Sequence, residues 1–262
     1  MEQTRHREYL IRYLLDESRD YRNSSVPSDG DAQKSLLRAL VNIRPAGKID
    51  KEFLTIQNEY LQRELLDKGI TNINELMPLE GDIYLFKGDI TTLRCGAIVN
   101  AANSGMTGCY HPCHACIDNC IHTFAGVQLR LECAELMRAQ GTAEPTGRAK
   151  LTRAYNLPCD YVIHTVGPIV YDEATDEDVR MLASCYEACL RLADENGIGS
   201  IAFCCISTGV FYFPQRLAAA TAVKTVREYK SRTNSGIKVV FNVFKDRDYE
   251  IYRELLGEHR EA

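Results

Sequence analysis

Over roughly the first 75 positions, apolar residues recur at helical spacing. Tyr9, Leu10, Tyr13 and Leu14 share one face, as do Leu36, Leu37, Leu40 and Val41 after a polar break at residues 23–31. A third stretch, from about Lys51 to Asp67, carries Phe53, Leu54, Ile56, Tyr60 and Leu61 in the same rhythm. The pattern predicts an all-helical N-terminal extension. Its role is either to pack against the rest of the chain or to present a face to a partner.

From about Asp82 the rhythm changes. Short apolar runs at Ile83–Phe86, Ala97–Val99, Tyr161–Ile163, Ile201–Phe203 and Val239–Phe241 alternate with helical stretches. The helical stretches lie near residues 117–139, 176–196, 214–229 and 249–256. Runs without polar alternation suit strands buried on both faces, so an α/β sandwich is expected. The division predicted is a helical extension over residues 1–77 and an α/β domain over residues 78–262.

Composition narrows the function classes. With 45% hydrophobic residues in 262, a sizeable core is available. No apolar run approaches a membrane span, and the N-terminus has no signal-peptide core, so a cytoplasmic protein without a membrane partner is expected. The net charge of -5 argues against non-specific nucleic-acid binding. Of the 11 cysteines, five fall between Cys109 and Cys133, and such clustering favours a metal over disulfides.

The densest chemistry is the run C-Y-H-P-C-H-A-C-I-D-N-C-I-H from Cys109 to His122. Thiolates and imidazoles at this density suit zinc. Three further loops follow apolar runs. Gly88-Asp89-Ile90 offers an acid to an exocyclic amine. Asn100-Ala101-Ala102-Asn103 places two amides in a cleft. Ser207-Thr208-Gly209-Val210-Phe211 ends a strand and is suited to hold phosphate on backbone N–H groups. Each is also an ordinary turn. His122 and His164 are expected to be packed, hydrogen-bonded histidines. Cys95, Cys133, Cys159, Cys185, Cys189, Cys204 and Cys205 are expected to be small packing residues.

In this order the segments G-D-I-T, I-V-N-A-A-N, I-D-N-C-I-H, G-R-A-K-L-T-R-A-Y-N-L-P, Y-V-I-H-T-V-G-P and I-S-T-G-V-F resemble the macrodomain family, which binds ADP-ribose. The nearer resemblance is to zinc-containing macrodomains, ADP-ribosylhydrolases related to the MacroD type. It implies a three-layer α/β/α sandwich with a mixed central sheet. The family's metal pattern, C-x4-H-x-C, falls on Cys109, His114 and Cys116. Cys113, Cys120 and His111 stay open as a fourth ligand that would close the site.

The resemblance also implies roles. Asp118 and Asn103 would be catalytic, with Asn103 holding the distal ribose. Adenine would lie by Asp89, Ile90 and Phe244, and the diphosphate on Ser207, Thr208, Gly209, Val210 and Phe211. Gly209 would then have no room for a side chain beside the ligand. Tyr212, where many macrodomains have glycine, would narrow that channel or reach the ribose. The implied activity is zinc-dependent removal of mono-ADP-ribose from protein side chains, with acidic residues the expected linkage. In some bacteria such domains accompany a sirtuin-like transferase and a lipoyl-carrier protein. The alternative is an ADP-ribose-binding reader with a structural zinc. A zinc-ribbon module is disfavoured, because paired C-x2-C knuckles are missing.

Overall fold

The computed structural model describes residues 2–257. Three helices open the chain: α1 (Glu2–Glu17), α2 (Gly30–Ile43) and α3 (Lys51–Lys68). The Asp29 carboxylate caps α2 by accepting from Ala32 N at 2.8 Å. The apolar faces of the three helices meet in a core of their own around Leu10, Ile11, Leu14, Leu37, Phe53 and Tyr60. Val127 enters it from beyond the extension and joins it to the rest of the chain.

The remaining elements are β1 (Thr71–Asn72), β2 (Pro78–Glu80), β3 (Ile83–Lys87), β4 (Leu93–Arg94), β5 (Ala97–Ala101), α4 (Ile117–Ala125), α5 (Val127–Gln140), β6 (Ala149–Arg153), β7 (Tyr161–Thr165), α6 (Asp176–Glu195), β8 (Ser200–Phe203), α7 (Gln215–Thr233), β9 (Lys238–Val243) and α8 (Asp246–Gly257). A seven-stranded sheet runs β2-β3-β9-β8-β5-β7-β6. Its five inner strands are parallel, while β2 and β6 pair antiparallel at the two edges. β1 and β4 form a separate parallel pair. Ile98, Val99, Ile163, Ile201, Ala202 and Val240 are fully buried, as strands covered on both faces require. Helices α4 and α5 cover one face of the sheet and the row α6, α7, α8 the other. The result is the mixed-sheet α/β/α sandwich that the sequence predicts.

Two elements differ from expectation. The helical stretch near residues 117–139 is two helices, α4 and α5, broken at Gly126, whose φ of 94° lies in the region that favours glycine. A Cβ there would meet Gln57 Nε2 at 2.5 Å, so the break also lets α3 approach. The edge strand β6 was not expected. Its residues A-K-L-T-R are mostly half-buried and lack the apolar run that marks a central strand.

Parallel order brings the C-terminal ends of β3, β5, β8 and β9 to one side of the sheet. The segments carrying Asp89, Asn103, Ser207 and Phe244 all leave from that side, where open α/β sheets form their ligand crevice. Among the described residues, no helix is long and apolar enough to cross a membrane.

Candidate functional site

The loop from β5 to α4 brings three soft donor atoms together. Sγ of Cys109, a ring nitrogen of His114 and Sγ of Cys116 lie within 4.8 Å of one another. Cys109 Sγ and His114 Nδ1 are 3.6 Å apart. A tetrahedral ion with Zn–S of ~2.3 Å and Zn–N of ~2.05 Å would separate sulfur and nitrogen by about 3.5 Å. The donor set and its spacing therefore fit zinc. Burial pushes the Cys116 thiol up to about 12, and neighbouring Cys109 and Asp118 add to that. A divalent cation between the sulfurs would reverse this preference. Cys116 is also the N-cap of α4, its sulfur accepting from Asn119 N at 3.4 Å, a position that favours a thiolate.

Two of the other candidate ligands are engaged elsewhere. Cys113 is exposed and donates to the Ser35 carbonyl at 3.3 Å. Cys120 Sγ accepts from Arg38 Nη2 at 3.5 Å. Neither these two nor His111 belongs to the converging trio.

Asp118 is the second residue of α4, in its first turn, and is 5% exposed. Its Oδ1 accepts from Asn100 Nδ2 at 2.8 Å, and its Oδ2 from Asn103 Nδ2 at 3.3 Å. Burial raises its pKa from 3.8 to about 6, against the lowering effect of the Asn100 hydrogen bond, the Arg130 charge and Asn103. Asn103 is exposed at the crevice and also donates to the Gly108 carbonyl at 3.1 Å. Asn100, expected in the cleft, is instead fully buried. The pleat turns it inward, where it touches Asp118 and, at 3.1 Å, Nδ1 of His164.

Behind Asp118 lies a buried group of His122, Cys133 and His164. His122 Nε2 is 3.6 Å from Asp118 Oδ1, and neither ring nitrogen of His122 has a hydrogen-bond partner among the described residues. The expectation of a hydrogen-bonded His122 is corrected there. His164 does bond, to Thr152 Oγ1 at 2.9 Å. Gly108, with φ of 85°, packs on the His122 ring so closely that a Cβ would meet Cγ at 2.8 Å.

The loop after β8 turns sharply. Ser207 has φ of 64° and is 5% exposed, and Phe213 N returns to the Ser207 carbonyl at 3.0 Å. Backbone N–H groups of Gly209, Val210 and Phe211 have no acceptor among the described residues. Three successive free N–H donors make a nest suited to an anion. Thr208 Oγ1 and Thr208 N both donate to the Cys205 carbonyl, at 3.0 and 3.4 Å, so the anion-holding part expected of Thr208 falls to the three residues after it. A Cβ on Gly209 would meet no protein atom within 4 Å, so only a bound ligand can restrict that position. Val210, Tyr212 and Phe244 stand exposed at the rim.

Asp89 caps the short turn after β3, accepting from Thr91 N at 2.9 Å and Thr91 Oγ1 at 2.6 Å. Burial raises its pKa, but the Thr91 hydroxyl and Lys68 outweigh it and hold the carboxyl below its ordinary value. Lys68 comes from the end of α3, 3.3 Å from Asp89 Oδ2. The Ile90 side chain is 2% exposed, so Ile90 can face a ligand only through its backbone.

A buried acid and a row of free backbone N–H groups thus share one crevice of the mixed-sheet sandwich with the Cys109–His114–Cys116 trio. A model of the Macro domain family matches residues 99–222. The protein-ADP-ribose hydrolase of Treponema medium is 56% identical over 261 residues, covering 98% of this chain and 100% of that protein. The protein-ADP-ribose hydrolase of Staphylococcus aureus (strain Mu50 / ATCC 700699) is 47% identical, covering 100% of both chains. A Trypanosoma brucei macrodomain solved in complex with ADP-ribose superposes with a TM-score of 0.65 at 30% identity, covering 84% of this chain and 95% of that one. The chain belongs to the Macro domain family.

Proposed function

We propose that this chain is a zinc-dependent hydrolase that removes mono-ADP-ribose from modified protein side chains, with the linkage to an acidic residue. The observation that carries the reading is the placing of Asp118 two residues from Cys116, at the edge of the Cys109–His114–Cys116 trio and under Asn103. The relatives described as protein-ADP-ribose hydrolases over their full length support the activity. The lipoyl-carrier substrate rests on resemblance alone.

The chain's own groups have distinct parts in this scheme. Gly209, Val210 and Phe211 N–H groups would hold the diphosphate, and Asp89 with Phe244 would hold adenine. Asn103 Nδ2 would orient the distal ribose. Asp118, itself oriented by the Asn100 amide, would hold the attacking water and accept its proton. The water oxygen adds to the ester carbonyl carbon, the bond from that carbon to the ribose oxygen breaks, and the proton taken by Asp118 passes to the ribose oxygen, giving free ADP-ribose and a restored carboxyl side chain. Zinc, when bound to Cys109, His114 and Cys116, would supply a Lewis acid and lower the pKa of nearby water.

The test uses a protein mono-ADP-ribosylated on Glu or Asp. Intact-mass measurement should show the modification lost on incubation with catalytic amounts of this chain. Stoichiometric binding without loss would make the chain a reader.

A further inference from the structure

The loop between β5 and α4 runs for fifteen residues, 102–116, with no regular structure. Loops of that length do not hold a fixed shape by themselves. Its shape is set from α2, in the helical extension. Arg38 Nη2 donates to the His114 carbonyl at 2.8 Å and to Asn119 Oδ1 at 2.9 Å. Arg38 Nε reaches the same Asn119 oxygen at 3.3 Å. Asn119 is fully buried, and Arg38 leaves its Nδ2 aimed at the loop. That Nδ2 donates to the carbonyls of His111 at 3.0 Å and Cys109 at 3.4 Å. Asn119 N, in turn, donates to Cys116 Sγ at 3.4 Å. Each of Cys109, His114 and Cys116 thus receives a hydrogen bond from the Arg38–Asn119 pair.

Two further ties run the same way. Asn42 of α2 accepts from Cys113 N at 2.9 Å and donates to Thr123 Oγ1 at 2.9 Å. Arg130 donates to the terminal α2 carbonyls of Val41 at 3.1 Å and Asn42 at 2.8 Å. Its guanidinium sits 4.4 Å from the ring centroid of Tyr110, inside the loop.

We propose that the helical extension is a working part of the metal site, with Arg38 the positioning residue that holds the ligand loop in its coordinating shape. The proposal rests on the zinc reading above. A planar guanidinium serves the His114 carbonyl and the Asn119 amide from one side chain, which a lysine ammonium does not match. Partners one shell beyond the ligands typically contribute 10–100-fold to metal affinity.

The test takes the full-length, zinc-loaded chain and its Arg38→Met variant, which keeps apolar bulk and removes the donors. Zinc transfer to a chromogenic chelator should be about tenfold faster or more in the variant. The cobalt-substituted variant should show a weakened thiolate charge-transfer band, and ADP-ribose affinity should stay within about twofold. Linkage requires the reciprocal effect in the wild type. Stripping zinc should speed amide exchange in Gly30–Ile43 and leave α6 and α7 unchanged. That second measurement decides the matter if Arg38→Met does not fold. A variant that releases zinc at the wild-type rate, or an α2 indifferent to zinc, overturns the positioning role while the zinc reading stands. A wild type that holds no zinc overturns both.

Discussion

Replacing Asp118 by Asn keeps the shape of the buried side chain and removes its charge. The Asp118 carboxylate accepts from two amide groups, Asn100 Nδ2 and Asn103 Nδ2. An asparagine has one acceptor oxygen, so its own NH2 must face one of those donors. Leaving a buried donor without an acceptor costs about 1–3 kcal/mol. Against this, burial lifts Asp118 from 3.8 to about 6, so ionising it near pH 7 costs about 3 kcal/mol that Asn does not bear. The two effects nearly cancel, and the urea midpoint at pH 7.5 should move little. Turnover should not cancel. A positioned acid or base contributes roughly 10²–10⁴ in rate, and Asn accepts no proton. ADP-ribose affinity should change by less than about tenfold, or ~1.4 kcal/mol, because the nest and the adenine contacts remain. The assay is single-turnover release of ADP-ribose from a modified protein, beside calorimetric titration with ADP-ribose. A folded, zinc-loaded Asp118→Asn with wild-type turnover would refute the reasoning.

Three other outcomes are expected. Cys116→Ser should lose most of its zinc on elemental analysis, since it removes one soft donor while the serine hydroxyl can still cap α4; full retention would mean the wrong ligands are named. Gly209→Glu should abolish ADP-ribose binding by calorimetry through like charge at the nest, while Gly209→Ala, whose Cβ meets no protein atom, should stay folded; wild-type affinity in Gly209→Glu would place the diphosphate elsewhere. Burial depresses His164 from 6.5 to about 3, so the unfolded chain takes up a proton first as pH falls. The stability His164 contributes is complete above about pH 6.5 and is lost toward pH 3, by about 5 kcal/mol at most. His164→Gln should flatten urea midpoints over that window, and an unchanged slope would exclude His164 as a cause.

The legible parts of the fold were those with strong local signals. Ile98, Val99, Ile201 and Val240 sit in unbroken apolar runs, and such runs report strands buried on both faces. β6 escaped because an edge strand with a half-exposed face has no such run. The Gly126 break escaped because one glycine inside an apolar periodic stretch reads as a tolerated defect until Gln57 is seen against it. In the site, the Cys109–His122 run announced itself by residue type. The inward turn of Asn100 depended on strand phase, which a two-asparagine motif leaves open. Contacts made by Arg38 and Lys68 lie 76 and 21 residues from their partners His114 and Asp89, and no periodicity encodes them.

The most direct measurement takes protein mono-ADP-ribosylated on an acidic residue and follows ADP-ribose release by this chain in three states: zinc-loaded, stripped by chelator, and reloaded. The account predicts one zinc per chain, release by the loaded protein, a fall of at least tenfold on stripping, and recovery on reloading. Release at the full rate from the stripped, zinc-free protein would contradict it.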